Sequence, residues 1–162
     1  MLTTMQPLTA ARVAPILARA ERIYAPLRRA LEALSPVADL LLRLWVAQVF
    51  FQSGVNKFQS WDITVQLFTY EYQVPFLAPA TAAFLGTLTE LVVPVFLALG
   101  LAGRAAAALL FVFNIIAVIS YPTLNAAGIH EHQLWGLLLL VTLLHGPGKL
   151  SLDHLLARWL RR

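Results

Sequence analysis

The chain has 162 residues, 59% hydrophobic and 12% charged, with a formal net charge of +4 and no cysteine. A water-soluble domain carries about 25% charged residues, so half that share together with a mean hydropathy of +0.73 describes a membrane protein of one domain. The missing cysteines exclude disulfides, thiol catalysis and thiolate ligation of metals or iron–sulfur clusters.

Residues 1–36 carry Arg12, Arg19, Arg22, Arg28 and Arg29, with Pro15 and Pro26 among them. Val13, Ile16, Leu17, Ile23, Leu27, Leu31 and Leu34 fall roughly on helical spacing. Recurrent arginines leave no unbroken apolar stretch for a cleavable signal, and Glu21 and Glu32 count against a mitochondrial leader. The segment is expected to be a basic amphipathic helix, or two short ones, lying on a membrane surface.

Four apolar segments follow, expected from about Val37 to Phe58, Phe76 to Leu101, Arg104 to Tyr121 and Glu131 to His145. Crossing the hydrocarbon takes ~20 residues, so the fourth is short unless it starts one turn earlier. Three spans with a re-entrant fourth segment are the competing topology. Of the twelve lysines and arginines, only Arg43 and Lys57 lie inside these segments, Arg104 standing at the very start of the third. The other ten lie in the two tails and at Arg104, and the first and third connections have none. By the positive-inside rule both termini are cytoplasmic. The basic balance therefore serves topology and lipid headgroups, and nucleic acid is not expected as a partner.

The joints have local signals. Gly100 and Gly103 in LGLAGR suit a tight turn, and Gly146 with Pro147 stops the fourth helix. SLDHLLARWLRR restarts a helix at Ser151, with Leu152, Leu155, Leu156, Trp159 and Leu160 on one side. The fold class expected is all-α: a four-helix transmembrane bundle over residues 37–146, with amphipathic interfacial segments over 1–36 and 147–162.

An ionisable group at the membrane centre costs at least ~2.5–3.5 kcal/mol, so each needs a partner or a function. Glu90 lies eleven residues before Leu101, near mid-membrane at ~1.5 Å per residue. Pro94 frees the Glu90 carbonyl four residues back, which adds a second polar group there. Arg43 can either reach Glu90 or snorkel to the headgroups, and pairing with Glu90 is the slightly favoured reading. Lys57 shares a face with Arg43 but lies roughly 20 Å further along the helix, so it is expected at the outer surface.

Gln48, Gln52 and Asn56 are four apart and form a second polar stripe, expected to face the bundle interior, a neighbouring helix or a second copy of the chain. The stripe supplies either interhelical packing bonds or the lining of a headgroup or quinone site. Asn114 is expected to make a buried interhelical bond, and Tyr121 to anchor the interface. His130, Glu131 and His132 could bind copper or zinc, provided that segment is extended. The chain has no CxxC, glycine-rich phosphate loop, nucleophile elbow or HExxH, and its histidines are not deep enough for haem.

LLRLWVAQVFFQSGVNKF, LTELVVPVFLALGLAGR and GPGKLSLDHLL together resemble the DoxX family of small four-helix bacterial membrane proteins. Arg43, Gly54 and Lys57 match its first-span pattern, Glu90 its second-span acid, and Gly148, Ser151 and Asp153 its closing pattern. Many relatives carry histidine where this chain has Gln52, so proton or metal chemistry at that position is not expected to carry over. The resemblance implies an inner-membrane, multi-pass protein. Some relatives are subunits of thiosulfate:quinone oxidoreductase systems, and others belong to membrane redox-defence assemblies or accompany enzymes that make copper-binding peptides.

The function expected is an accessory membrane subunit that anchors or assists a quinone-linked redox system, not a self-contained enzyme. Its partners would be the lipid bilayer, an oxidoreductase subunit and a second copy of the chain, with quinone as the candidate cofactor. Glu90, Arg43, Gln52, Asn56, Lys57 and Asn114 are the candidate ligand-binding residues, and His130, Glu131 and His132 the candidate metal ligands. The alternative is a non-catalytic scaffold, or a handler of small molecules or copper.

Overall fold

The computed structural model describes residues 8–161. Residues 1–7 of the expected N-terminal segment, and the side chains of Arg12, Val13, Pro15, Ile16 and Leu17, lie outside the described residues. Among the described residues there are six α-helices and no strand: α1 Leu8–Gln59, α2 Trp61–Tyr70, α3 Pro79–Leu99, α4 Gly103–Ile119, α5 Ala126–His145 and α6 Leu152–Leu160.

The chain divides into two units between Pro36 and Val37. In the first, Ile23, Tyr24, Leu27, Leu31 and Leu34 are exposed beside the equally exposed Arg19, Arg22, Arg28 and Arg29. An amphipathic surface of that kind suits a bilayer interface.

In the second unit the helix ends follow local chemistry. Pro79 starts α3, where its missing N–H costs nothing. Gly100 ends α3 in the left-handed region at φ 65°, with its N–H donating to Leu97 O and that of Leu101 donating to Phe96 O. The Asn125 side chain accepts from Gly128 N at 2.8 Å to cap α5, and the Ser151 hydroxyl accepts from His154 N at 3.2 Å to cap α6. The fourth apolar segment thus begins about one turn before Glu131, giving α5 20 residues, or ~30 Å.

The main core joins the second half of α1 to α3, α4 and α5 through Val46, Ala47, Phe50, Leu97, Ala106, Ala107, Leu110 and Leu139. A second cluster seats Phe68 of α2 against Ala82 and Ala83 of α3. The outward faces of α3, α4 and α5 are apolar: Phe84, Leu88, Val92, Ile115 and Leu137 are all exposed. Contiguous apolar surface on this scale is a surface for lipid. Two stretches, Glu21–Gln59 and Pro79–Leu99, are long and apolar enough to cross a membrane, and α4 is a shorter apolar helix of 17 residues.

Candidate functional site

α1 and α3 approach closely at one level, and glycine makes this possible. A Cβ on Gly54 would meet Glu90 Cβ at 2.9 Å and the Glu90 carbonyl carbon at 3.0 Å. Beside this contact, Lys57 Nζ donates to both Glu90 oxygens at 2.7 Å and to Ser53 Oγ at 2.8 Å, while Ser53 Oγ donates to Glu90 Oε1 at 3.2 Å. The pair is largely enclosed, with side-chain exposures of 19% for Lys57 and 6% for Glu90. Lys57 is therefore not an outer-surface residue, and Glu90 pairs with Lys57 instead of Arg43.

The reason lies in helix register. Gly54 is level with Glu90, eleven residues into α3, so roughly 16 Å of α3 extends past that point while α1 has only about five residues left. α2 covers the remainder of α3, with the Phe68 ring 3.5 Å from where a Gly86 Cβ would stand. Lys57 thus ends beneath α2, and Thr64 of α2 donates to the Lys57 carbonyl at 3.0 Å.

Arg43 is 1% exposed and donates to three carbonyls: Leu97 O at 3.2 Å, Ala98 O at 3.1 Å and Leu150 O at 2.6 Å. The first two are last-turn carbonyls of α3; Leu97 O also accepts from Gly100 N, while the guanidinium supplies a donor to Ala98 O and sits at the negative end of the helix dipole. Nearby, Asp153 accepts from Ala102 N and Gly103 N at 2.8 Å each, capping α4. Arg43 and Asp153 join the α3–α4 turn to the segment that follows α5. Arg43 does not line the cavity described next.

A cavity of about 1040 Å³ opens beside the Lys57–Glu90 pair. Gln48, Gln52, Ser53 and Asn56 of α1 line it, opposite Phe113 and Ile116 of α4 and Trp135 of α5. Gln52 Nε2 donates to Asn56 Oδ1 at 3.0 Å along α1, and Gln48, Gln52 and Asn56 all line the cavity. Phe50 meets both Phe113 and Trp135 edge-on, at centroid distances of 6.3 and 5.9 Å.

At the end nearest α2, Tyr72 lines the cavity from the α2–α3 connection, edge-on to Phe68 and Tyr121 at 4.9 Å each. Tyr121 is more than an interfacial anchor, since its hydroxyl donates to Glu71 Oε2 at 3.3 Å. Burial pushes the Tyr72 phenol up, and Tyr121, Glu71 and Glu90 act in the same direction, so it remains a neutral donor. Phe76 stands fully exposed at the rim with φ 64°, a left-handed conformation that costs an aromatic residue on the order of 1–3 kcal/mol.

The three candidate metal ligands are separated by the helix that holds them. α5 is already helical at Ala126, and residues two apart on a helix point in different directions. His130 Nδ1 turns to Gln133 Oε1 at 3.2 Å, Glu131 is exposed, and His132 turns inward to Asn114 and lines the cavity. Among the described residues, no three His, Asp or Glu side chains group as metal ligands would. Asn114 is buried and bonds between α4 and α5; it supports the cavity wall without lining it.

Sequence reasoning missed Ser53, Tyr72, Trp135 and the inward turn of His132. Ser53 did carry a signal, because it is one turn before Lys57 and so on the same face.

Helices with apolar outer faces, enclosing charged and amide side chains, define an integral membrane protein. The family model that matches is DoxX, over residues 38–123, just over half of the chain, and the chain belongs to that family. The match contains Arg43, Gly54, Lys57 and Glu90, and ends before the Gly148, Ser151 and Asp153 pattern. No curated protein and no solved structure matches the chain.

Proposed function

We propose that this DoxX protein is a four-span inner-membrane subunit with cytoplasmic termini, which assists a quinone-linked redox system by holding quinone in the cavity beside Lys57 and Glu90. The spans are the second half of α1 together with α3, α4 and α5. The observation that carries the reading is the pairing of a roomy apolar cavity, about 1040 Å³, with one charged locus on its wall. Ligand sites of this kind are mostly apolar, with a few placed polar groups.

The local chemistry suits a carbonyl ligand. All three Lys57 donors are in use, but Ser53 can surrender its bond because it keeps Glu90 as a partner. A quinone carbonyl can then take the third Lys57 donor while Glu90 holds the ammonium in position. Gln52 and Asn56 offer amide contacts along the same wall.

The full chain purified in mild detergent from quinone-containing membranes is expected to carry quinone. Glu90→Gln should lower the bound amount roughly tenfold, the scale of one charge-assisted hydrogen bond. Equal quinone content in both proteins sinks the reading.

Topology has its own test, aided by a natural sequence without cysteine. A cysteine at Ser60 should react with an impermeant maleimide in intact cells, and one at Arg158 only after the membrane is opened. Labelling of both in intact cells refutes the four-span arrangement.

A non-catalytic scaffold is the second reading, favoured by the bonds that Lys57, Ser53 and Glu90 make to one another across the α1–α3 contact.

A further inference from the structure

His132 offers the cavity a polar atom of fixed character. Asn114 Nδ2 donates to the His132 backbone carbonyl at 2.9 Å, which fixes which end of the amide is nitrogen, because a carbonyl only accepts. The other end, Oδ1, lies 2.7 Å from His132 Nδ1. An amide oxygen only accepts, so Nδ1 must carry the proton, and in the neutral ring Nε2 is left as a bare acceptor.

The surroundings hold this arrangement. Gly136 makes room for the amide, since a Cβ there would come within 3.3 Å of Asn114 Nδ2. The imidazole rests edge-on to Trp135 at 4.8 Å, and both rings line the cavity. Among the described residues Nε2 has no hydrogen-bond partner, whereas every donor of Lys57 is taken. The cavity therefore presents one pole that donates, by exchange at Lys57, and a second that only accepts.

We propose that His132 Nε2 accepts a hydrogen bond from the hydroxyl of a reduced, hydroquinone-type ligand, with Asn114 as the positioning residue that sets the ring's tautomer. The proposal rests on the reading that the cavity takes a quinone-type molecule. A quinone carbonyl and a hydroquinone oxygen can both accept from Lys57, but only the hydroquinone can donate to Nε2. The acceptor at His132 therefore distinguishes the two redox states and makes the site selective for the reduced form.

The test compares a decyl-substituted benzoquinone with its hydroquinone, each titrated into the full chain in detergent and read by tryptophan quenching. With no cysteine present, the reductant that keeps the hydroquinone reduced leaves the protein's covalent structure untouched. Wild type should bind the hydroquinone more tightly. His132→Phe, which keeps a ring against Trp135, should shrink that preference roughly tenfold, toward equal affinity. His132→Gln retains an amide donor for Asn114 and an acceptor for the cavity, and should recover part of it. Asn114→Leu should also reduce the preference, because the ring can then protonate at either nitrogen.

A wild type that binds neither form overturns the quinone reading itself. Binding of both forms without a preference, or with a preference unchanged in His132→Phe, overturns the role of His132 alone. Equal weakening of both forms in His132→Phe and His132→Gln assigns the ring to packing, and likewise overturns the proposal.

Discussion

Replacing Lys57 with methionine is expected to destabilise the folded chain by about 3–5 kcal/mol, the scale of breaking a buried ion pair from one side. The size follows from enclosure. With Glu90 at 6% and Lys57 at 19% side-chain exposure, solvent cannot take over the carboxylate when the ammonium is removed. Glu90 would lose its two shortest bonds, at 2.7 Å, and keep only Ser53 at 3.2 Å. The α1 backbone at Gly54 is also packed directly against Glu90. The double variant Lys57→Met with Glu90→Leu should recover most of the stability, since replacing both partners of a buried pair with apolar groups is often neutral or better. Denaturant titration in detergent, followed by tryptophan fluorescence, measures all three variants, and the double-mutant cycle isolates the coupling. A Lys57→Met variant within 1 kcal/mol of wild type, as for exposed pairs, removes the buried pair as a structural element. A stable double variant that no longer carries quinone would separate the ligand role of the pair from its packing role.

The legible features were those decided within a few residues of chain. Gly100, Gly146 and Ser151 each act on their own helix end, and those boundaries fall where local chemistry puts them. The apolar pattern, by contrast, begins the second and fourth segments at Phe76 and Glu131 and misses the starts set by Pro79 and Asn125. The apolar segments and the family resemblance were legible for the same reason. What the sequence concealed was the level at which separate helices meet. Counting along α1 places Lys57 correctly relative to Arg43, at the far end of the same helix. Nothing in that count tells that α3 extends beyond this end, or that α2 roofs it. The hidden signal was Gly54, whose close approach to Glu90 sets the register between the two helices. His132 misled in a different way. An extended HEH would put both histidines together, whereas a helix begun at Ala126 sends His130 toward Gln133 and His132 into the cavity.

Arg43→Ala is the other substitution with a large expected effect, again about 3–5 kcal/mol, with a different symptom. The guanidinium fills a site with 1% exposure and serves three carbonyls from two distant parts of the chain. Alanine leaves a void at that site and strips Ala98 O of its donor, an orphan costing about 1–3 kcal/mol, while Leu97 O keeps only Gly100 N. It also removes the 2.6 Å bond to Leu150, which holds the segment between α5 and α6. Lysine is a poor substitute, because one ammonium cannot reproduce the fork that spans Leu97, Ala98 and Leu150. In wild type the turn is packed directly onto this group, since a Cβ on Gly100 would run into Arg43 Nη1 and Ser151 Cβ. The expected symptom is release of the C-terminal segment. Trypsin should cleave at Lys149 in Arg43→Ala well before it does in wild type, while quinone content per folded molecule stays closer to wild type than in Glu90→Gln. Cleavage at an unchanged rate would show that Asp153 alone, through Ala102 and Gly103, holds the segment in place.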